Sequence, residues 1–269
     1  MSRLSTTFQT LKQQRKTALI PYFTAGDPQP SSTVDIMHVM VESGADIIEV
    51  GVPFSDPMAD GPAIQAACER ALVHGVSLSQ VLDMVALFRT KNQHTPVVLM
   101  GYLNPIEVMG YSLFAERAKK VGVDGVLTVD LPPEEAKDLV AALNQQELDP
   151  IFLIAPTSTD ERVRRIAQCA SGFLYYVSLK GVTGSSRLNV REVKQKMEQL
   201  RNLTGLPIGV GFGINDPQTA AEVGQFADAV VVGSAVVKRI ESLQDKPAEM
   251  LVELAAFVAS LRAAIDGRV

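Results

Sequence analysis

The chain of 269 residues has no tryptophan, two cysteines, three histidines and no long apolar run. Each scarcity removes a class of protein. Cys68 and Cys169 stand far apart in apolar helical contexts; no disulfide framework is available, and both read as buried, reduced thiols. His38, His74 and His94 match no metal-ligand spacing, so no metal site is expected. No stretch approaches the ~18 apolar residues of a membrane span, and no signal-peptide pattern precedes the polar start, so the chain reads as cytoplasmic. The formal net charge of −5 is spread without runs of either sign. That argues against a nucleic-acid surface and leaves small molecules or a protein partner.

What is present is a regular alternation. Hydrophobic residues make up 46% of the chain and charged ones 20%, enough for a sizeable core. Residues 1–15 read as an amphipathic helix with Leu4, Phe8 and Leu11 on one face. Apolar strands follow over 18–23, 46–51, 96–100, 125–129, 150–154, 172–177, 207–210 and 228–232. Helical periodicity lies between them over 34–43, 62–74, 78–90, 111–121, 133–146, 160–170 (with Asp160 as N-cap), 190–202, 217–224 and 234–242, and finally over 247–264. Short, near-continuously apolar strands separated by helices indicate a parallel sheet covered by helices. Eight such units without a linker predict one (β/α)8 TIM barrel domain over residues 1–269, with an extra N-terminal helix; a doubly wound open sheet is the alternative.

In such a barrel, function sits on the loops beyond the C-terminal strand ends. Within the second strand, Ile47 and Glu49 share one face and Ile48 and Val50 the other. The apolar pair suits the helix side, which points Glu49 into the barrel at its active end. Pairing with a buried Lys or Arg is the ordinary explanation for such a charge, but no strand carries a basic residue in its interior. A desolvated carboxyl has a raised pKa and suits acid–base work near neutral pH. The following loop carries Asp56 and Asp60 between Pro53, Pro57 and Pro62, whose fixed φ stiffens its ends. Asp60 reads equally well as a held carboxylate or as a cap for the next helix, and both readings stay open.

Gly211-Phe212-Gly213 after the seventh strand and Gly233-Ser234 opening a helix after the eighth occupy the two places where barrels commonly bind phosphate. Gly181-Val182-Thr183-Gly184 offers a further backbone N–H. Tyr22, Ile64, Met100, Leu127, Val129, Leu153, Tyr175 and Phe212 form an apolar ring that suits an aromatic group beside the phosphate, or ordinary barrel core.

These residues resemble one family. Glu49 to Gly61 is similar to the signature of the tryptophan synthase alpha chain. So are 21–28 (PYFTAGDP), 100–106 (MGYLNPI), Asp130-Leu131-Pro132, Tyr175 to Ser178 with Gly181 to Gly184, Gly211 to Ile214 and Gly233-Ser234-Ala235, in that order and spacing. The resemblance implies a lyase that splits indole-3-glycerol phosphate into indole and glyceraldehyde 3-phosphate by a retro-aldol reaction. It implies Glu49 as the proton shuttle and Asp60 facing the ring nitrogen. Tyr22, Ile64, Met100, Leu127, Tyr175, Thr183 and Phe212 would surround the substrate, and Gly184, Gly213, Gly233 and Ser234 would hold its phosphate. It also implies no cofactor in this chain, and a pyridoxal-phosphate beta chain as partner in an α2β2 assembly, contacted through residues 56–60 and 104–109. The rivals are another phosphate-binding barrel, such as a sugar-phosphate epimerase, and a subunit that only activates its partner.

Overall fold

The computed structural model describes residues 2–177, 190–211 and 213–267. The chain begins with α1 (Arg3–Gln14), β1 (Ala18–Thr24), α2 (Thr33–Glu42), β2 (Ile48–Gly51), α3 (Pro62–Val73), α4 (Leu78–Arg89) and β3 (Val97–Gly101). It continues through α5 (Leu103–Met109), α6 (Tyr111–Val121), β4 (Gly125–Thr128), α7 (Lys137–Gln145), β5 (Asp149–Ile154), α8 (Asp160–Cys169) and β6 (Leu174–Val177). It ends with α9 (Val190–Arg201), β7 (Ile208–Gly211), α10 (Pro217–Gly224), β8 (Ala229–Val232), α11 (Ser234–Ser242) and α12 (Pro247–Ile265). The strands are parallel and close in sequence order, β8 pairing back onto β1. The arrangement is a TIM barrel preceded by one helix, and the open sheet is excluded.

The period-two alternation divides the strands into two cores. Leu19, Phe23, Ile48, Val50, Leu99, Val126, Phe152 and Val230 face the helices. Ile20, Tyr22, Ile47, Val98, Met100, Leu127, Ile151, Phe173, Tyr175 and Val231 fill the barrel. Helix α1 closes the end away from the strand C-termini. Ser2 caps it by accepting the Ser5 N–H at 3.1 Å, and Leu4, Phe8 and Leu11 join the interior cluster. Leu4 Cδ1 lies 3.0 and 3.2 Å from where a Cβ at Gly125 or Gly172 would stand, and Phe8 meets Phe173 with ring centroids 5.6 Å apart.

The strand N-termini are pinned by carboxylates. Asp46 accepts the Leu19 N–H at 2.8 Å, Asp124 the Val97 N–H at 2.8 Å, and Asp228 the Ile208 N–H at 2.9 Å. Each also takes a guanidinium, from Arg262, Arg89 and Arg201 respectively. This shortens β2 relative to the expected 46–51, because Asp46 is turned toward Leu19 and Arg262 instead of continuing the ladder.

Other local expectations change too. Residues 103–109, read as a loop, form α5: Asp130 accepts the Leu103 N–H at 2.9 Å, and Pro105 sits in the first turn, where its missing N–H costs little. Thr159, not Asp160, caps α8, its hydroxyl accepting the Arg162 N–H. Helix α7 starts at Lys137, four residues later than expected. Cys68 is buried as expected, but Cys169 is only half-buried. Among the described residues no single helix is long and apolar enough to cross a membrane. The bent pair α3–α4 reaches that length together, yet most of its apolar residues, Ile64 and Phe88 among them, are buried in the barrel's two cores.

Because Leu4 is fully buried in the plug, Leu4→Ala is expected to lower unfolding stability by about 2–5 kcal/mol in a urea titration. The mouth of the barrel should stay unchanged, since the substitution lies at the opposite end from the strand C-termini.

Candidate active site

Glu49 lies on the inward face of β2, with 1% of its surface exposed, and neither carboxyl oxygen has a hydrogen-bond partner among the described residues. The ordinary explanation, a buried cation, is therefore absent from them. Burial disfavours the charged form, and the negative charge of Asp60 adds to it, so the carboxyl is pushed up from 4.5 to about 8. A group in that range gives and takes a proton near neutral pH.

Asp60 is half-buried on the loop after β2 and is not the cap of α3; that position belongs to Gly61. The Tyr102 hydroxyl donates to Asp60 Oδ2 at 2.9 Å and accepts the Ala59 N–H at 2.9 Å. Phe54 stacks on Tyr102, centroids 5.0 Å apart and planes 25° off parallel, and Gln65 Nε2 donates to the Asp60 carbonyl. Partial burial raises the Asp60 carboxyl and the tyrosine hydrogen bond lowers it, the net direction being upward. Asp56, by contrast, is exposed, and its carboxylate accepts from the Ser55 hydroxyl. Tyr102 and Phe54 were missed as positioning groups. The only sequence signal was an aromatic at the end of a strand, and nothing in spacing says which loop it will meet.

The interior cluster brings Tyr22, Ile64, Met100, Leu127 and Tyr175 together. The two tyrosines fit because the neighbouring strands carry glycine: a Cβ at Gly51 would overlap the Tyr22 hydroxyl, and one at Gly211 would overlap that of Tyr175. Burial pushes both phenols well above their usual range, with the carboxylates Glu49 and Asp60 adding to it, so they remain neutral hydroxyls. Tyr22 Oη lies 3.2 Å from Thr24 Oγ1. Cys68 belongs to the same cluster, and burial raises its thiol to about 11, which leaves it protonated and weakly nucleophilic.

Gly233 stands at the N-terminus of α11, which has no side-chain cap, and Ser234 is that helix's first residue. A Cβ at Gly233 would lie 3.5 Å from the Tyr22 ring, so the helix end borders the tyrosine. Gly213 has φ +79°, a backbone conformation that favours glycine. Thr183, Gly184 and Phe212 lie outside the described residues. Among the described residues, no group of three or more His, Cys, Asp or Glu side chains is arranged to hold a metal.

This geometry can be compared with known proteins. The family model described as Tryptophan synthase alpha chain matches residues 8–266. The tryptophan synthase alpha chain of Methylococcus capsulatus is 59% identical over 266 residues, covering 99% of this chain and 100% of that one. That of Nitrosococcus oceani is also 59% identical, covering 99% and 98%. Among solved structures, tryptophan synthase subunit alpha from Legionella pneumophila superposes with a TM-score of 0.93 at 46% identity, covering 99% of each chain. A chain of tryptophan synthase from M. tuberculosis in its aminoacrylate-bound form gives 0.87 at 35% identity, covering 98% of this chain and 100% of that one.

The raised Glu49 carboxyl has a consequence for stability. Its native pKa exceeds the unfolded value, so between about pH 4.5 and 8 the native state holds a proton that the unfolded state releases, and stability falls as pH rises. Glu49→Gln removes that penalty. Urea unfolding should show the variant more stable than wild type by up to about 4 kcal/mol at pH 8, with the difference shrinking toward pH 4.5. An equal difference at both pH values would show that Glu49 is not held neutral.

Proposed function

Since this chain belongs to the tryptophan synthase alpha chain family, whose reaction is the cleavage of indole-3-glycerol phosphate in tryptophan biosynthesis, we propose that Glu49 and Asp60 carry out that cleavage here. The enzyme is a carbon–carbon lyase, and the proposal concerns which of its groups do the work. The observation that carries it is the Glu49 carboxyl, desolvated, without a partner among the described residues, and poised at about 8.

The bond to break joins indole C3 to the hydroxyl-bearing carbon of the glycerol chain. Protonation of C3 by neutral Glu49 makes that carbon tetrahedral and leaves positive charge on the ring nitrogen side. The Asp60 carboxylate, held by Tyr102, balances this charge. The Glu49 carboxylate then takes the hydroxyl proton. The O–H electrons form the aldehyde C=O of glyceraldehyde 3-phosphate, and the C–C pair returns to the ring as neutral indole. One proton enters and one leaves, so the residue finishes in its starting state, and no cofactor in this chain takes part. Tyr22, Ile64, Met100, Leu127 and Tyr175 would enclose the ring, with Thr183 and Phe212 completing the wall. The phosphate would rest on backbone N–H groups of Gly184, Gly213, Gly233 and Ser234, at the positive end of α11.

The partner reading concerns a pyridoxal-phosphate beta chain that takes up the indole, in an α2β2 assembly. Met58 and Val108 are each 81% exposed, on the Asp60 loop and on α5. Val108 lines a surface cleft of about 590 Å³ together with Phe54, Asn104, Pro105 and Leu113. Exposed apolar residues around a cleft suit a protein interface, and this one adjoins the loop that carries the catalytic carboxylate. The same reading makes the chain a cytoplasmic enzyme.

Indole release from indole-3-glycerol phosphate, with and without a beta chain, tests both parts. Glu49→Gln is expected to lower kcat by at least about 10³-fold and Asp60→Asn by at least about 10²-fold. In wild type, kcat/KM should fall above about pH 8 as Glu49 loses the proton it must donate. Full activity in Glu49→Gln would overturn the assignment, and no cleavage by wild type plus a working beta chain would favour a purely activating subunit. Val108→Asp should keep the basal rate and lose most of the stimulation by the beta chain; undiminished stimulation would move the interface elsewhere.

A further inference from the structure

Two of the helices that depart from the simple strand–helix alternation border the mouth of the barrel. Helix α3 follows the Asp60 loop, and α11 follows β8 with its N-terminus beside Tyr22. Both reach into the interior cluster, α3 through Ile64, Ala67 and Cys68 and α11 through Val237. Toward their C-terminal ends one side chain joins them. Arg70, on α3, donates from Nε to Asp27 Oδ1 at 2.7 Å and from Nη2 to Asp27 Oδ2 at 3.0 Å; its Nη1 donates to Glu241 Oε1 of α11 at 3.0 Å. The Asp27 side chain is fully buried, that of Arg70 is 18% exposed and that of Glu241 45%.

A planar guanidinium with both edges engaged fixes distance and orientation together. Here it ties three pieces of the mouth: the loop after β1, the helix behind the Asp60 loop, and the helix whose N-terminus faces the tyrosine. We propose that Arg70 is a positioning residue for phosphate binding, which through Glu241 seats α11 so that its N-terminal N–H groups stand at the right distance from Asp60 and Glu49. The proposal rests on the phosphate reading given above. Backbone donors hold an anion only where they converge, so a small displacement of α11 weakens binding of the phosphorylated substrate while the acid–base pair stays in place. Lysine at position 70 would keep the charge but could not present a planar fork to two carboxylates at once.

The test is steady-state cleavage of indole-3-glycerol phosphate with glycerol 3-phosphate as competitive inhibitor, run on the full chain with its beta partner, alongside urea unfolding of each variant. Arg70→Ala strands the buried Asp27 carboxylate and risks folding, so Arg70→Lys and Glu241→Ala are the informative changes. Arg70→Lys is expected to raise KM and the glycerol 3-phosphate Ki together by about three- to tenfold, with kcat within about twofold. Glu241→Ala should do the same to a smaller extent, and the double variant should be no worse than Arg70→Lys alone. A lowered unfolding midpoint with unchanged KM and Ki would reduce Arg70 to a structural role and overturn the proposal, as would strictly additive effects. Gly233→Val separates the two levels. If it leaves Ki unchanged, or if glycerol 3-phosphate does not compete in wild type, the phosphate reading falls and the proposal with it. If it abolishes competition while Arg70→Lys behaves as wild type, only the coupling is overturned.

Discussion

The site depends on one unfavourable arrangement, a carboxyl group kept out of water with no cation to neutralise it among the described residues. Such a group resists ionisation, and that resistance brings an ordinary glutamate into the range where it can exchange protons at neutral pH. The arrangement needs walls on every side. A closed ring of strands supplies them, with apolar side chains filling the interior and a helix sealing the far end. An open sheet would leave one flank of Glu49 to solvent and return its pKa toward that of a free side chain.

The same enclosure governs the neighbours. Two tyrosines stand in the barrel wall because the adjacent strands offer glycine rather than a side chain, so part of the apolar ring is made by omission. Asp60 answers to different physics. It lies on a loop at the edge of the enclosure, where a tyrosine hydroxyl and a stacked phenylalanine set its place. One carboxylate is thus tuned by the absence of partners and the other by their presence, which suits the acid–base and charge-stabilising roles proposed for them.

Much of this was legible in the chain. Eight apolar runs gave the barrel, and alternation within 47–50 gave Glu49 its direction, because a period of two leaves a buried strand only two faces. What remained hidden involved contacts between segments distant in sequence. Whether Asp60 capped its own helix could not be decided without knowing that Tyr102 reaches it from the next strand's end. Asp46 reads as the first residue of a strand until Leu19 and Arg262 are brought beside it. Helix α5 was obscured because its N-terminal partner, Asp130, lies 27 residues further on. Local pattern reports which face a residue occupies; it does not report who waits there.

The pinned strand ends show a regularity of a different kind. Asp46, Asp124 and Asp228 stand just before β2, β4 and β8, and each holds an amide at the start of the preceding odd-numbered strand, Leu19, Val97 and Ile208 respectively. In each, the next residue points into the barrel. The equivalent residue at β6 is Gly172, just before inward-facing Phe173. Its φ of +69° and the Asp149 Cβ, 3.0 Å from where its own would stand, leave no room for an aspartate. There the carboxylate comes from the odd strand instead, and Ser171 donates to it at 2.5 Å. Three of the four even-numbered strands are therefore clamped alike to the strand before them, while at β6 the Asp149 carboxylate meets a serine hydroxyl and its other oxygen has no partner among the described residues. These clamps lie at the end of the barrel away from the strand C-termini, so the register of the strands is set apart from the residues at the mouth.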